Sequence, residues 1–139
     1  MITFLRLLLI AFLISMIFIV FEVGKAWPNT IITEERLLHC VLGEARSQGK
    51  NEMQAIAEVI RRRGSEKGVY GCSVDFSKEK AYMRAVGKIK MAKKAVSGSL
   101  KSNLSNGATH FEGVKFKKPY WANSMKEVSK IGDTIFYRK

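Results

Sequence analysis

The chain has 139 residues, room for one domain and little more once a non-globular leader is set aside. Its 24 Lys and Arg outweigh 12 Asp and Glu, for a formal net charge of +12, which suits nucleic acid, anionic lipid or an anionic cell-envelope polymer without choosing among them. Two cysteines and two histidines without close ligand spacing argue against a zinc site.

The first element is the run "MITFLRLLLIAFLISMIFIVFEVGKA". Arg6 precedes an apolar stretch from Leu7 to Phe21, and Gly24 and Ala26 supply small residues ahead of Trp27 and Pro28. A signal peptide needs about 7 to 15 apolar residues and a spanning helix about 20, so length favours export with cleavage after Ala26. An uncleaved anchor through residues 7–21 is the alternative. Residues 27–139 then form the folded domain, with 22 basic and 11 acidic residues. Export disfavours nucleic acid as a partner.

Thr33 is an N-cap candidate, and Glu34 and Glu35 suit the positive end of a helix in which Leu37, Leu38, Val41, Leu42 and Ala45 recur at helical spacing until Gly49. Asn51 with Gln54 three residues on has the form of a capping box. The second helix runs through Met53, Ile56, Ala57, Val59 and Ile60 to three arginines and Gly64, a left-handed stop. Residues 65–76 are expected as loop. A third helix follows from Ser77, with Tyr82, Ala85, Val86, Ile89, Ala92 and Val96 on one face and lysines largely on the others. Beyond Ser97-Gly98-Ser99 the texture changes: a loop, a short hairpin in "ATHFEGVKF" around Gly113, a short helix within 119–130, and a last strand "DTIFYR". The fold class predicted is α+β, mainly helical, with a small C-terminal antiparallel sheet. Cys40 and Cys72 either close one bridge in an oxidising compartment or leave Cys40 as a free core residue.

Chemistry points to "GEAR", residues 43–46. With Leu37 at zero on a helical wheel, Glu44 falls at about 340°, on the edge of the apolar stripe, while Arg46 points away. Low dielectric and the negative end of the helix dipole both disfavour its charged form, as a general acid working near neutral pH requires. The plainer alternative is a carboxylate that swings to solvent or pairs with a nearby arginine.

In order along the chain, "LLHCVLGEAR", "MQAIAEVIRRR", "GATHF", "PYW" and "IGDTIFYR" resemble the cell-wall hydrolase family of the spore-cortex-lytic enzyme SleB. The resemblance covers most of residues 35–138. It implies a lysozyme-like domain that binds peptidoglycan glycan strands as a monomer without metal or cofactor. It also implies a lytic transglycosylase reaction between N-acetylmuramic acid and N-acetylglucosamine. On this reading Glu44 protonates the glycosidic oxygen, and its carboxylate then takes the proton from the C6 hydroxyl that attacks C1 and closes a 1,6-anhydro ring. Hydrolysis, or binding without turnover, are the alternatives. A second carboxylate of the kind glycosidases pair would have to come from Asp75, Glu112 or Asp133, each expected as a turn or surface residue. Thr109, His110, Trp121, Tyr137 and Arg46 are the candidate sugar contacts, with at least one of Trp121, Phe136 and Tyr137 expected in the core. The chain departs from the family at Ser47 and Gln48, where Gly-Glu is usual, and in a shorter segment after Cys72.

Overall fold

The structure is a computed structural model, and it describes residues 32–44 and 49–139. The leader, together with Ala45, Arg46, Ser47 and Gln48, lies outside the described residues. Four helices come first: α1 Glu34–Glu44, α2 Lys50–Arg63, α3 Glu79–Val86 and α4 Ile89–Gly98. Three strands follow, β1 His110–Gly113, β2 Lys126–Ile131 and β3 Thr134–Arg138, in an antiparallel sheet of order β1-β3-β2. The α+β class, helical first and sheet last, is as predicted. None of the described helices is long and apolar enough to cross a membrane.

The start of α1 follows its sequence signals, since Thr33 Oγ1 accepts the Arg36 N–H at 3.2 Å. The start of α2 does not. Gly49 occupies the cap with no side-chain bond, and Gln54 donates instead to Ser102 Oγ at 2.7 Å. The capping box is therefore absent, because Gln54 is more useful in pinning a distant loop than in closing its own helix turn. At the other end Gly64 adopts φ 59°, the left-handed stop expected of it, and its N–H bonds to the carbonyls of Ile60 and Arg61.

The centre of the molecule is α2. Glu52, Met53, Ala55, Ile56, Ala57, Glu58, Val59 and Ile60 are all buried, and residues so nearly consecutive point in every direction around the axis. The helix is thus enclosed, with α1 and α4 packed on it and β1 at its flank. Phe111 and Phe136 add the inner face of the sheet to the same core, their rings 6.3 Å apart. Arg61 at the end of α2 pairs with Glu34 at the start of α1, so the two helices run antiparallel.

Three expected elements differ. The long third helix is broken at Gly87 and Lys88 into α3 and α4, and of its predicted apolar face only Ala85, Ala92 and Val96 are buried; Tyr82 and Val86 are exposed. The break re-aims the chain so that α4 reaches α2 while α3 stays at the surface. β1 does not turn back on itself around Gly113 but pairs with β3, in the register His110↔Tyr137 and Phe111↔Phe136. Segment 119–130 holds a 3-10 turn, Tyr120–Ser124, followed by β2, whose pairing with β3 carries a bulge between Glu127 and Ser129. β2 reads poorly as a strand because its sequence, KEVSKI, is mostly polar.

Residues 99–109 have no regular structure and are held by side chains of α2: Gln54, Glu58, Arg61 and Arg62. The Glu58 carboxylate accepts the N–H groups of Leu104 (3.0 Å) and Ser105 (2.8 Å), the Ser105 hydroxyl (2.7 Å) and the Ser102 hydroxyl. Arg62 donates to the Ala108 carbonyl at 2.5 Å. Burial pushes the Glu58 pKa up, but these donors outweigh it and hold the carboxyl below its ordinary value.

Candidate functional site

Glu44 is the last residue of α1 and half-buried. Opposite it lies a second 3-10 turn, Tyr70–Ser73, and the two segments meet backbone to backbone. The close approach depends on a glycine on each side. A Cβ on Gly43 would overlap the Gly71 carbonyl, and a Cβ on Gly71 would overlap the Cys40 carbonyl and lie 2.7 Å from the Glu44 Cγ. Cys40 and Cys72 form a disulfide across the same seam, which decides between the two fates open to them in the sequence. Within this joint the Gly71 N–H donates to Glu44 Oε1 at 2.6 Å. The carboxylate is thereby fixed at the end of a helix by a backbone donor, so the swing to solvent is not what occurs. Tyr70, the neighbour of Gly71, is 84 % exposed.

A carboxylate so held can accept or deliver a proton at one defined place. Gly71 carries no local mark in the sequence; the signal that exists is Gly43, a glycine inside a helical pattern, where such a residue usually has a packing reason.

The other expected site residues gather elsewhere. His110 and Tyr137 are cross-strand partners on the sheet face opposite Phe111 and Phe136. Trp121, from the 3-10 turn before β2, covers them, with ring centroids 5.2 Å from His110 and 5.6 Å from Tyr137. Thr109 Oγ1 is 3.0 Å from His110 Nδ1. Burial, with Arg63 and Lys139 nearby, lowers the His110 pKa, so the ring is neutral at neutral pH. Burial likewise raises the Tyr137 pKa, helped by Glu127 and Glu112. Tyr137 is buried behind Trp121, so its ring is not open for stacking, and Phe136 is the fully buried core aromatic of the three. Arg46 lies outside the described residues.

The aromatic group sits on the outer sheet face, beside the Arg63 end of α2, whereas Glu44 lies at the end of α1 remote from the Glu34–Arg61 pair. The 11 residues of α1 put Glu44 about 15 Å along the helix axis from Glu34. Contacts join Thr109, His110, Trp121 and Tyr137 to one another, and Glu44 to Gly71 at the seam that Cys40 and Cys72 close. The three further carboxylates are engaged locally: Asp75 accepts from the Ser77 N–H and hydroxyl, Glu112 from the Gly113 N–H, and Asp133 pairs with Lys115 at 3.1 Å. Cys40, Cys72 and Glu66 lie together as a set of metal-ligand types, but the two sulfurs are consumed in the disulfide and Glu66 pairs with Arg36 at 2.6 Å.

No protein-family model, curated protein or solved structure matches the chain.

Proposed function

We propose that the protein is an exported, lysozyme-like enzyme that cleaves the glycan strands of peptidoglycan, with Glu44 as general acid and then base. The observation that carries this reading is the Glu44 carboxylate pinned by the Gly71 N–H in a joint built around it. A helix end is an unfavourable place for a negative charge, so stability alone gives little reason to build a two-glycine, disulfide-closed seam there. The disulfide suits an oxidising compartment, and the basic surface suits an anionic envelope polymer. In the lytic transglycosylase route the substrate's own C6 hydroxyl is the nucleophile, which fits a carboxylate whose three candidate partners are occupied in turns and at the surface.

A second reading, glycan binding without turnover, is favoured by one observation: the rings of His110, Trp121 and Tyr137 pack on one another as a preformed aromatic group. Purified peptidoglycan incubated with the chain and with Glu44→Gln, followed by mass spectrometry of the soluble products, separates the two. Anhydromuramic ends that disappear in the variant support catalysis by Glu44, and reducing ends indicate hydrolysis. Binding with no products supports the second reading. Cleavage that survives Glu44→Gln removes Glu44 from the chemistry.

A further inference from the structure

The surface least explained by the fold is α3 with the exposed side of α4. α3 buries only Ala85. Tyr82, Met83 and Val86 are 51 %, 63 % and 41 % exposed, and spacings of three and four residues join them into one apolar patch turned to solvent. Beside the helix is a cleft of roughly 200 Å³ with an apolar floor of Leu42, Val74, Phe76 and Ala81 and a basic rim of Lys78, Lys80 and Arg84. Around this patch the charge is strongly one-sided. From Lys78 to Lys101 the chain has eight basic residues and one acidic residue, Glu79. Lys80, Arg84, Lys90, Lys93 and Lys94 are exposed, and among the described residues none of them takes part in an ion pair. The opposing charges are Glu79, on the patch side of α3, and Asp75, which lies by Lys78 but is bonded to Ser77.

We infer that the α3–α4 arm docks on an anionic lipid bilayer, with Tyr82, Met83 and Val86 entering the headgroup boundary and the surrounding lysines and Arg84 meeting lipid phosphates. Cations alone would serve any polyanion. The exposed apolar triad selects a bilayer, because an amphipathic surface helix with basic flanks binds through buried apolar area and charge together, and tyrosine suits the boundary between water and acyl chains. The inference does not use Glu44 and stands apart from the glycan-cleaving reading.

Hydrogen exchange read by mass spectrometry on the full chain tests it, because both vesicle types accommodate the apolar leader and only the arm is scored. In phosphatidylcholine vesicles containing 30 % phosphatidylglycerol, amides of residues 79–98 exchange at least several-fold more slowly than in phosphatidylcholine alone, and 0.5 M NaCl abolishes the difference. Replacing Tyr82, Met83 and Val86 together by Ser removes that protection, and Lys90→Gln, Lys93→Gln and Lys94→Gln combined weaken it; all six positions are exposed or at the surface, and an unchanged melting curve confirms that the variants fold. Equal exchange on the two vesicle types overturns the inference. So does equal protection of the arm by soluble polyglutamate that persists in the triple-Ser variant, since a polyanion site would then account for the surface without a bilayer.

Discussion

Gly71→Ala is the sharpest test of the joint that holds Glu44. The added methyl would overlap the Cys40 carbonyl and the Glu44 amide and lie 2.7 Å from the Glu44 Cγ, so backbone has to move on one side or the other. Overpacking of this kind costs about 1–3 kcal/mol where side chains can yield, and two of these neighbours are main chain, which places the cost at about 3 kcal/mol. For a domain near a hundred residues that corresponds to a fall in melting temperature of roughly 10–20 °C. Gly43→Ala meets the same contact from the α1 side and should cost a similar amount. Because either change opens the same seam, the double variant should lose less than the sum of the singles by about 1 kcal/mol or more. Gly87→Ala is the control, since a Cβ there meets nothing within 4 Å. Circular dichroism melts of the disulfide-intact proteins supply the readout. A Gly71→Ala protein that melts within a degree or two of Gly87→Ala would refute the backbone contact, and with it the account of how Glu44 is held.

Three further expectations follow from the same structure. Reducing Cys40–Cys72, 32 residues apart, should lower stability by about 3–4 kcal/mol on the chain-entropy relation, measured by urea unfolding with and without dithiothreitol. Glu58→Ala should cost about 2–4 kcal/mol, because it strips acceptors from buried donors of residues 102–105; preserved stability would mean the loop does not depend on it. Glu58 and Glu52 should also have opposite pH signatures in urea titrations. The depressed Glu58 pKa contributes stability that is present above the unfolded carboxylate pKa and is lost as pH falls through the folded one, so Glu58→Gln flattens the acid side of the curve. Burial raises the Glu52 pKa despite bonds from Thr134 and the Asp133 backbone, so its contribution is present below the unfolded pKa and is lost as pH rises through the folded one. Glu52→Gln should therefore gain on the wild type from pH 4 to pH 7, and a constant difference would contradict the assignment.

The two sides of the fold differ in how openly the sequence declares them. α1, α2 and β3 announce themselves because their apolar spacing, the Thr33 cap and the Gly64 stop are local signals with local causes. The errors fall where a distant partner overrides a local preference. Gln54 gives up a capping role to reach Ser102, β1 takes β3 in preference to its own neighbours, and α2 looks amphipathic only because Glu52 and Glu58 are acids whose partners lie far along the chain. The candidate site divides in the same way. Glu44 could be placed at a helix end from spacing alone, whereas Gly71, which fixes its carboxylate, is brought to it by the tertiary fold and has no local mark beyond glycine itself. His110, Trp121 and Tyr137 form the group that alternation and composition suggest, but which face of the sheet they occupy is decided by Phe111 and Phe136 turning inward.

The bulge in β2 matters for how the protein behaves in a crowd. A three-stranded sheet with β3 in the middle leaves two edges, and an edge strand is a template for any passing chain. On β2 the template is spoiled twice. The bulge interrupts the regular spacing of donors and acceptors, and Lys126, Glu127 and Lys130 place exposed charges along the strand. A straight, uncharged β2 would invite strand addition and polymerisation; the polar sequence that hides this strand from its hydropathy pattern is also what guards this edge of the sheet.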